Sequence, residues 1–133
     1  MDAIGDWWSL LIVQETFEGP RRFGQYRKEL GIARNILADR LRKLIAHDIL
    51  RTDNSFSGNA YKKYILTSRG RDLFHVVAAL RQWAEDYLYP QGESFSRMVD
   101  ARYGKAIRKI EIKARDGRLL GPSEIRIKRV EVW

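Results

Sequence analysis

The residues best suited to chemistry lie in one stretch, GIARNILADRLRKLIAHDIL (residues 31–50), where leucine recurs on one side of a helical period and arginine and lysine on the other. That pattern suits recognition of a polyanion rather than bond-making. Between Arg21 and Lys63 the chain holds eleven Lys or Arg against four acids, in a sequence of 133 residues with a net charge of +8. Basic surfaces are common, so charge alone points only towards an acidic partner. Other chemistries are poorly served. The chain has no cysteine, which removes disulfides, thiolate nucleophiles and thiolate-held metals, and its two histidines, His47 and His75, are too few for a metal site. No Ser/His/Asp set, carboxylate pair or glycine-rich phosphate loop is recognisable, so no catalytic residue, enzymatic activity or cofactor is expected. His47 reads as a last-turn residue interacting with a helix dipole, and His75 as facing solvent or a subunit interface.

The elements that must position the basic stretch are legible around it. Asp6 is predicted to cap a first helix through WWSLLIVQETF, with Trp7, Leu10, Leu11, Gln14 and Thr16 on its apolar face and Gly19-Pro20 as its stop. A short second helix starts in RRFGQYRKEL, where Phe23, Tyr26 and Leu30 share a side, and Gly31 ends it as a left-handed cap. In the third helix Leu37, Leu41, Leu44 and Asp48 form the inward stripe, widened by Ile45. Asn35, Asp39, Arg42 and Lys43 occupy the opposite side, with Arg34 and Arg40 on the flanks. LRT (50–52) and YKKYILT (61–67) read as two strands joined by the polar loop DNSFSGNA. Thr67 then caps a long helix of about six turns, with Leu73, Val77, Leu80, Ala84 and Tyr87 at helical spacing, up to Pro90.

A linker, QGESFSRMVDARYG (91–104), precedes a change of period. IRKIEIKAR alternates apolar and charged residues, Asp116-Gly117 is a turn signal, and Ile125, Ile127, Val130 and Val132 continue as strand, with a phase slip that predicts a bulge near Lys128 and Arg129. The expected organisation is a domain over residues 1–90 and a basic β-hairpin extension over 91–133, which holds eleven Lys or Arg against six acids. That extension widens a DNA footprint or is a solvated edge hairpin with protective lysines. The absence of an apolar run of about 20 residues or of a signal segment predicts a cytoplasmic chain with no membrane partner.

Helix, tight turn, basic-faced helix and hairpin is the order of a winged helix-turn-helix, whose second helix enters a major groove about 12 Å wide. Residues facing away from the core then meet base edges while flanking Arg and Lys neutralise phosphates. An αα-hairpin by itself is ordinary. The hairpin and the basic cluster together make the pattern specific. The fold class expected is therefore α+β, mainly helical: a winged helix-turn-helix with a long C-terminal dimerisation helix and an additional C-terminal β-hairpin.

The segments IGDWWSLLIVQE, GPRRFGQYRKELGIARNILADRLRKL, YILT with GRDLF, and ALRQWAEDY, in that order, resemble the HxlR-type regulators of bacteria over residues 3 to 88. The resemblance implies a dimeric winged helix-turn-helix transcription regulator. It implies Arg34, Asn35 and Asp39 at the groove, Arg40 at phosphate, and a wing around Asn59 to Lys62 on the neighbouring backbone. With Arg22 and Lys43 from the basic cluster these make the candidate DNA-binding residues. Members of this family usually carry further residues, often with a cysteine, ahead of the IGDWW segment, so either the first helix is shortened or Met1 is not the natural start. Some also carry paired cysteines in the tail, which RYGKAIRKIEIKARDGRLLGPSEIRI lacks. Thiol sensing is not expected here.

The helix over 70–89 carries Phe74, Val76 and Trp83 beside its main stripe, more than one side can bury, so a second copy is expected to cover the surplus. Trp7, Trp8, Val76, Leu80, Trp83 and Tyr87 are the candidate interface residues, the tryptophans being read as core or interface rather than as a ligand cage. The partners expected are double-stranded DNA and the chain itself, with a small-molecule effector left open. The function expected is a sequence-specific regulator, a repressor, binding an inverted-repeat operator as a homodimer. The other class is a winged-helix module that binds protein, with its basic face serving solubility.

Overall fold

The computed structural model describes residues 6–53, 62–88 and 96–131. Asn59 and the tip of the expected wing lie outside the described residues, as do Pro90, the first part of the linker and Val132. The chain forms two compact units, residues 1–81 and 82–133.

In the first unit, helix α1 (Trp7–Thr16) starts on Asp6, whose carboxylate accepts from the Ser9 amide at 3.0 Å and the Ser9 hydroxyl at 2.7 Å. Its buried side is Ser9, Ile12, Val13 and Thr16, at i, i+3, i+4 and i+7. This corrects the expected face: Trp7 is exposed, and Leu10, Leu11 and Gln14 are only half-buried. The helix is apolar nearly all round, so its composition gives no phase. Ser9 can go inside because Asp6 satisfies its hydroxyl.

A two-residue strand, β1 (Arg21–Arg22), leads into α2 (Phe23–Leu30), where the reading of the sequence had only a helix start. The Gln25 side chain accepts from the Arg22 amide at 2.8 Å, and Gly31, at φ 64°, closes the helix with its N–H on the Arg27 carbonyl. Tyr26 on α2 is fully buried and its hydroxyl lies 2.6 Å from Thr16 Oγ1. The threonine proton goes to the Ile12 carbonyl at 2.7 Å, so Tyr26 is the donor between them. Burial raises the Tyr26 pKa and keeps that proton in place.

Helix α3 (Arg34–Ala46) buries Leu37, Leu41 and Leu44, as the stripe predicts. Ile45, which is exposed, does not widen it, and Asp48 does not continue it. The helix ends at Ala46, His47 is its C-cap, and Asp48 sits at φ 60° in a turn whose carbonyl accepts from Thr67 Oγ1 at 2.6 Å. Strands β2 (Leu50–Asp53) and β3 (Lys63–Leu66) pair antiparallel with Leu50 opposite Leu66, and β1 adds to the far side of β3, giving the order β1-β3-β2.

The long helix after the wing is corrected to two pieces, α4 (Ser68–Arg71) and α5 (Phe74–Tyr87). Thr67 caps α4 by accepting from the Gly70 amide at 3.0 Å, and its hydroxyl also meets the Asp48 and Ile49 carbonyls. That grip fixes the direction of α4, and the ladder tightens at Leu73 before resuming at Val77. The core joins Ile12, Val13, Tyr26, Ile32, the three α3 leucines, Ile49, Leu50, Tyr64, Leu66 and Val77.

In the second unit, Gln82 of α5 clips tail backbone with both ends of its amide, donating to the Arg108 carbonyl and accepting from the Ile110 N–H, each at 2.9 Å. Glu85 accepts from the Met98 amide at 2.8 Å. The expected tail hairpin is present but short: Asp116-Gly117 makes its turn, with Ala114 N–H on Arg118 and Leu120 N–H on Ile112. Among the described residues, 125–130 join no ladder, and Ile127 is 100% exposed, so the expected bulge near Lys128 and Arg129 has no described strand to pair with.

Candidate nucleic-acid interface

The α3 leucines turn inward, which leaves Arg34, Asn35, Ala38, Arg42 and Lys43 exposed and Asp39 and Arg40 half-exposed on the other side. Asp39 dominates the electrostatics of this face. Its Oδ2 meets Arg40 Nη1 at 2.7 Å and Lys43 Nζ at 3.2 Å, and its Oδ1 meets Arg42 Nη2 at 2.6 Å. The Lys43 and Arg40 hydrogen bonds hold its carboxyl below the ordinary carboxylate range despite some desolvation.

Arg40 reaches further, placing Nε 3.1 Å from Asp6 Oδ1 and so tying α3 to the cap of α1. Burial works to raise the Asp6 pKa, but hydrogen bonds from Ser9 and Arg40 outweigh it and hold the group low, while the same bond to Asp6 raises that of Arg40. Two of the three guanidinium nitrogens of Arg40 are thus engaged with carboxylates. Among the described residues Nη2 has no such carboxylate partner.

A second cationic feature lies at the start of α2. A cleft of about 570 Å³ is lined by Arg22, Phe23, Gly24, Gln25, Lys28, Lys62 and Tyr64. The fold brings Arg22, at the β1–α2 junction, next to Lys62, which enters β3 from the wing with its ammonium 5.5 Å from the Tyr64 ring centre. Arg34 lies over Phe23 at 5.6 Å, which steadies its long side chain beside this cleft. The helix start and the converging cations give the cleft an anion-binding character. The part of Tyr64 and Gln25 was not singled out in the sequence. Only the two-residue strand β1, which has no period of its own, draws these residues together.

Among the described residues there is no cluster of three or more metal-ligating side chains, and no helix is long and apolar enough to cross a membrane. His47 stands at the α3 C-cap, where its carbonyl accepts from Arg69 at 3.2 Å, and His75 is exposed. Of the candidate interface residues, Trp8 packs on the core and Leu80 is half-buried. Trp7, Val76, Trp83 and Tyr87 are exposed, with the Trp83 and Tyr87 rings 5.6 Å apart.

The three-stranded sheet, the α2–α3 pair and the basic outer face of α3 define a winged helix-turn-helix protein. The model of the HxlR-like helix-turn-helix family matches residues 3–92, and the chain belongs to that family. An HTH-type transcriptional regulator of Mycobacterium tuberculosis, Rv3095, itself uncharacterised, is 41% identical over 93 residues, which cover 69% of this chain and 59% of the relative. The chain therefore spans about three-fifths of that relative's length. The crystal structure of PA1607, a candidate transcription factor, superposes with a TM-score of 0.88 at 43% identity, covering 97% of this chain and 90% of the other. PA1374 from Pseudomonas aeruginosa, also a candidate transcription factor, gives 0.71 at 27% identity, covering 97% and 88%. Both likenesses take in most of the tail beyond the family match. The chain thus belongs to a helix-turn-helix family whose relatives include proteins named as transcriptional regulators.

Proposed function

We propose that the chain is a sequence-specific DNA-binding repressor, acting in the bacterial cytoplasm as a homodimer on an inverted-repeat operator. The observation that carries this reading is the outward face of α3, where Asn35 and Arg34 stand exposed beside the Arg22–Lys28–Lys62 cleft. Asn35 is the base reader, since a side-chain amide can pair in two places with an adenine edge. Arg34 and Asp39 join it at the groove. Arg22, Lys43, Lys62, the wing at Asn59 and the spare Nη2 of Arg40 serve the backbone. Repression follows from occupancy, because a dimer on a promoter excludes polymerase.

The test is to select bound fragments from random DNA and compare the selected duplex with an unselected one. Asn35→Ala is expected to weaken the selected duplex by about 1–3 kcal/mol and leave the unselected one nearly unchanged. Equal losses on both would remove Asn35 from the groove, and failure of selection to enrich any sequence would overturn specific binding.

The dimer is supported by α5. Val77 and Ala84 are buried, yet Val76, Trp83 (52% exposed) and Tyr87 (70% exposed), which share one side of the helix, are not. Apolar surface of this extent on one helix marks a protein interface. Two copies joined through α5, Leu80 included, with Trp7 and Trp8 as further contacts, put two recognition helices on one face of the duplex, about 34 Å apart. Sedimentation at micromolar protein should give a dimer for the wild type, with Trp83→Ala shifted towards monomer. A monomeric wild type would defeat the pairing.

A further inference from the structure

We infer that Asp39 is a built-in competitor for DNA phosphate, a specificity-determining residue that holds the cations of the recognition helix and suppresses binding to non-operator sequences. The inference rests on the DNA-binding reading above and deepens it. One carboxylate takes three cations, Arg40 at 2.7 Å, Arg42 at 2.6 Å and Lys43 at 3.2 Å. Its oxygens therefore receive the donors that a backbone phosphate would otherwise receive.

A purely structural role explains little of this arrangement. The Arg42 and Lys43 side chains are 74% and 53% exposed, and pairs of that kind add little to stability. Helix α3 is anchored without Asp39, because Arg40 keeps its separate contact with Asp6. What Asp39 does change is the state of the surface that meets DNA. On an arbitrary duplex, the Arg42 and Lys43 donors that Asp39 holds reach phosphate only by leaving it, and the carboxylate is then left with Arg40 alone close to the polyanion. On the operator an exocyclic amino group of cytosine or adenine can donate to Asp39, which compensates the carboxylate and releases both cations to the backbone. Discrimination by a penalty on the wrong partner is as effective as added attraction to the right one.

The experiment follows binding of labelled random-sequence duplex by fluorescence anisotropy through a potassium chloride titration. The proteins are the wild type, Asp39→Asn, Asp39→Glu and Glu29→Gln. Glu29 is an exposed carboxylate on α2, so its variant matches the charge change of Asp39→Asn. Asp39→Asn is expected to bind random duplex about tenfold tighter, with a salt slope steeper by about two as Arg42 and Lys43 become available to phosphate. Its gain on the duplex selected by the wild type should be smaller, so the ratio of selected to random affinity falls. Asp39→Glu should stay near the wild type, and Glu29→Gln should gain no more than about twofold with its slope unchanged. Equal gains for Asp39→Asn and Glu29→Gln, or an unchanged slope for Asp39→Asn, overturn the inference and leave DNA binding standing. A wild type that binds no duplex at low salt overturns both.

Discussion

Affinity for the selected duplex, on which Arg42 and Lys43 are released to the backbone, is expected to fall about a thousandfold as monovalent salt rises from roughly 50 to 200 mM, because each phosphate neutralised releases close to one condensed counterion. The exposed cations gathered around α2, α3 and the wing include Arg22, Lys28, Arg34, Arg42, Lys43 and Lys62. About six phosphate contacts correspond to a slope of log affinity on log salt near −5, which over a fourfold change in salt is about three powers of ten. Two copies on one duplex steepen it further. Anisotropy at four or five salt concentrations measures the slope directly. A protein-binding module that carried its charge for solubility would bind DNA weakly and bind its apolar partner with little response to salt, so a flat profile would favour that function.

Much of the framework that positions these cations is written locally. Asp6, Gly31 and Thr67 cap their helices because each needs only a neighbour three or four residues away. Leu37, Leu41 and Leu44 reveal the inner side of α3 by contrast with the charged residues between them. Where that contrast is missing, as in WWSLLIVQET, the period is illegible, and burial of Ser9 rather than Leu10 or Leu11 is settled by Asp6 and the packing of the core.

Features that depend on distant residues were out of reach in the same way. Arg40 reads as one more cation on a basic face until Asp6, 34 positions away, is brought to it. Asp39 stands one, three and four residues from cations that spacing alone leaves equally free to face solvent. The break after Arg71 comes from Thr67 holding the Asp48 and Ile49 carbonyls, contacts that span eighteen and nineteen residues. The grip of Gln82 on residues 108 and 110 is likewise invisible in a period. In the tail the alternation of apolar and charged residues promises a strand, but strand formation needs a partner, and 125–130 have none among the described residues.

Replacing Gly70 by alanine is expected to destabilise the winged unit by about 3 kcal/mol or more, against the helix propensity of alanine, which by itself would add about 1 kcal/mol. Gly70 is buried in α4, and a Cβ there would collide with the Ile49 carbonyl oxygen and lie 2.9 Å from Leu66 Cδ2. Neither neighbour is free to yield. The Ile49 carbonyl accepts from the Thr67 amide at 3.1 Å and from its hydroxyl at 3.0 Å, and Leu66 belongs to β3 and to the core, opposite Leu50. The added methyl must lift α4 from the sheet, breaking the Thr67 contacts and opening space beside Leu66. Gly24 supplies the comparison, since it lies within α2 and a Cβ there meets nothing within 4 Å. Gly24→Ala should therefore gain up to about 1 kcal/mol, so two identical substitutions in helices carry opposite signs. Thermal unfolding followed by circular dichroism measures both, with a midpoint expected to drop by about 10 °C or more for Gly70→Ala. A midpoint at or above that of the wild type would mean that α4 does not press on the Ile49 carbonyl, and the break between α4 and α5 would need another cause.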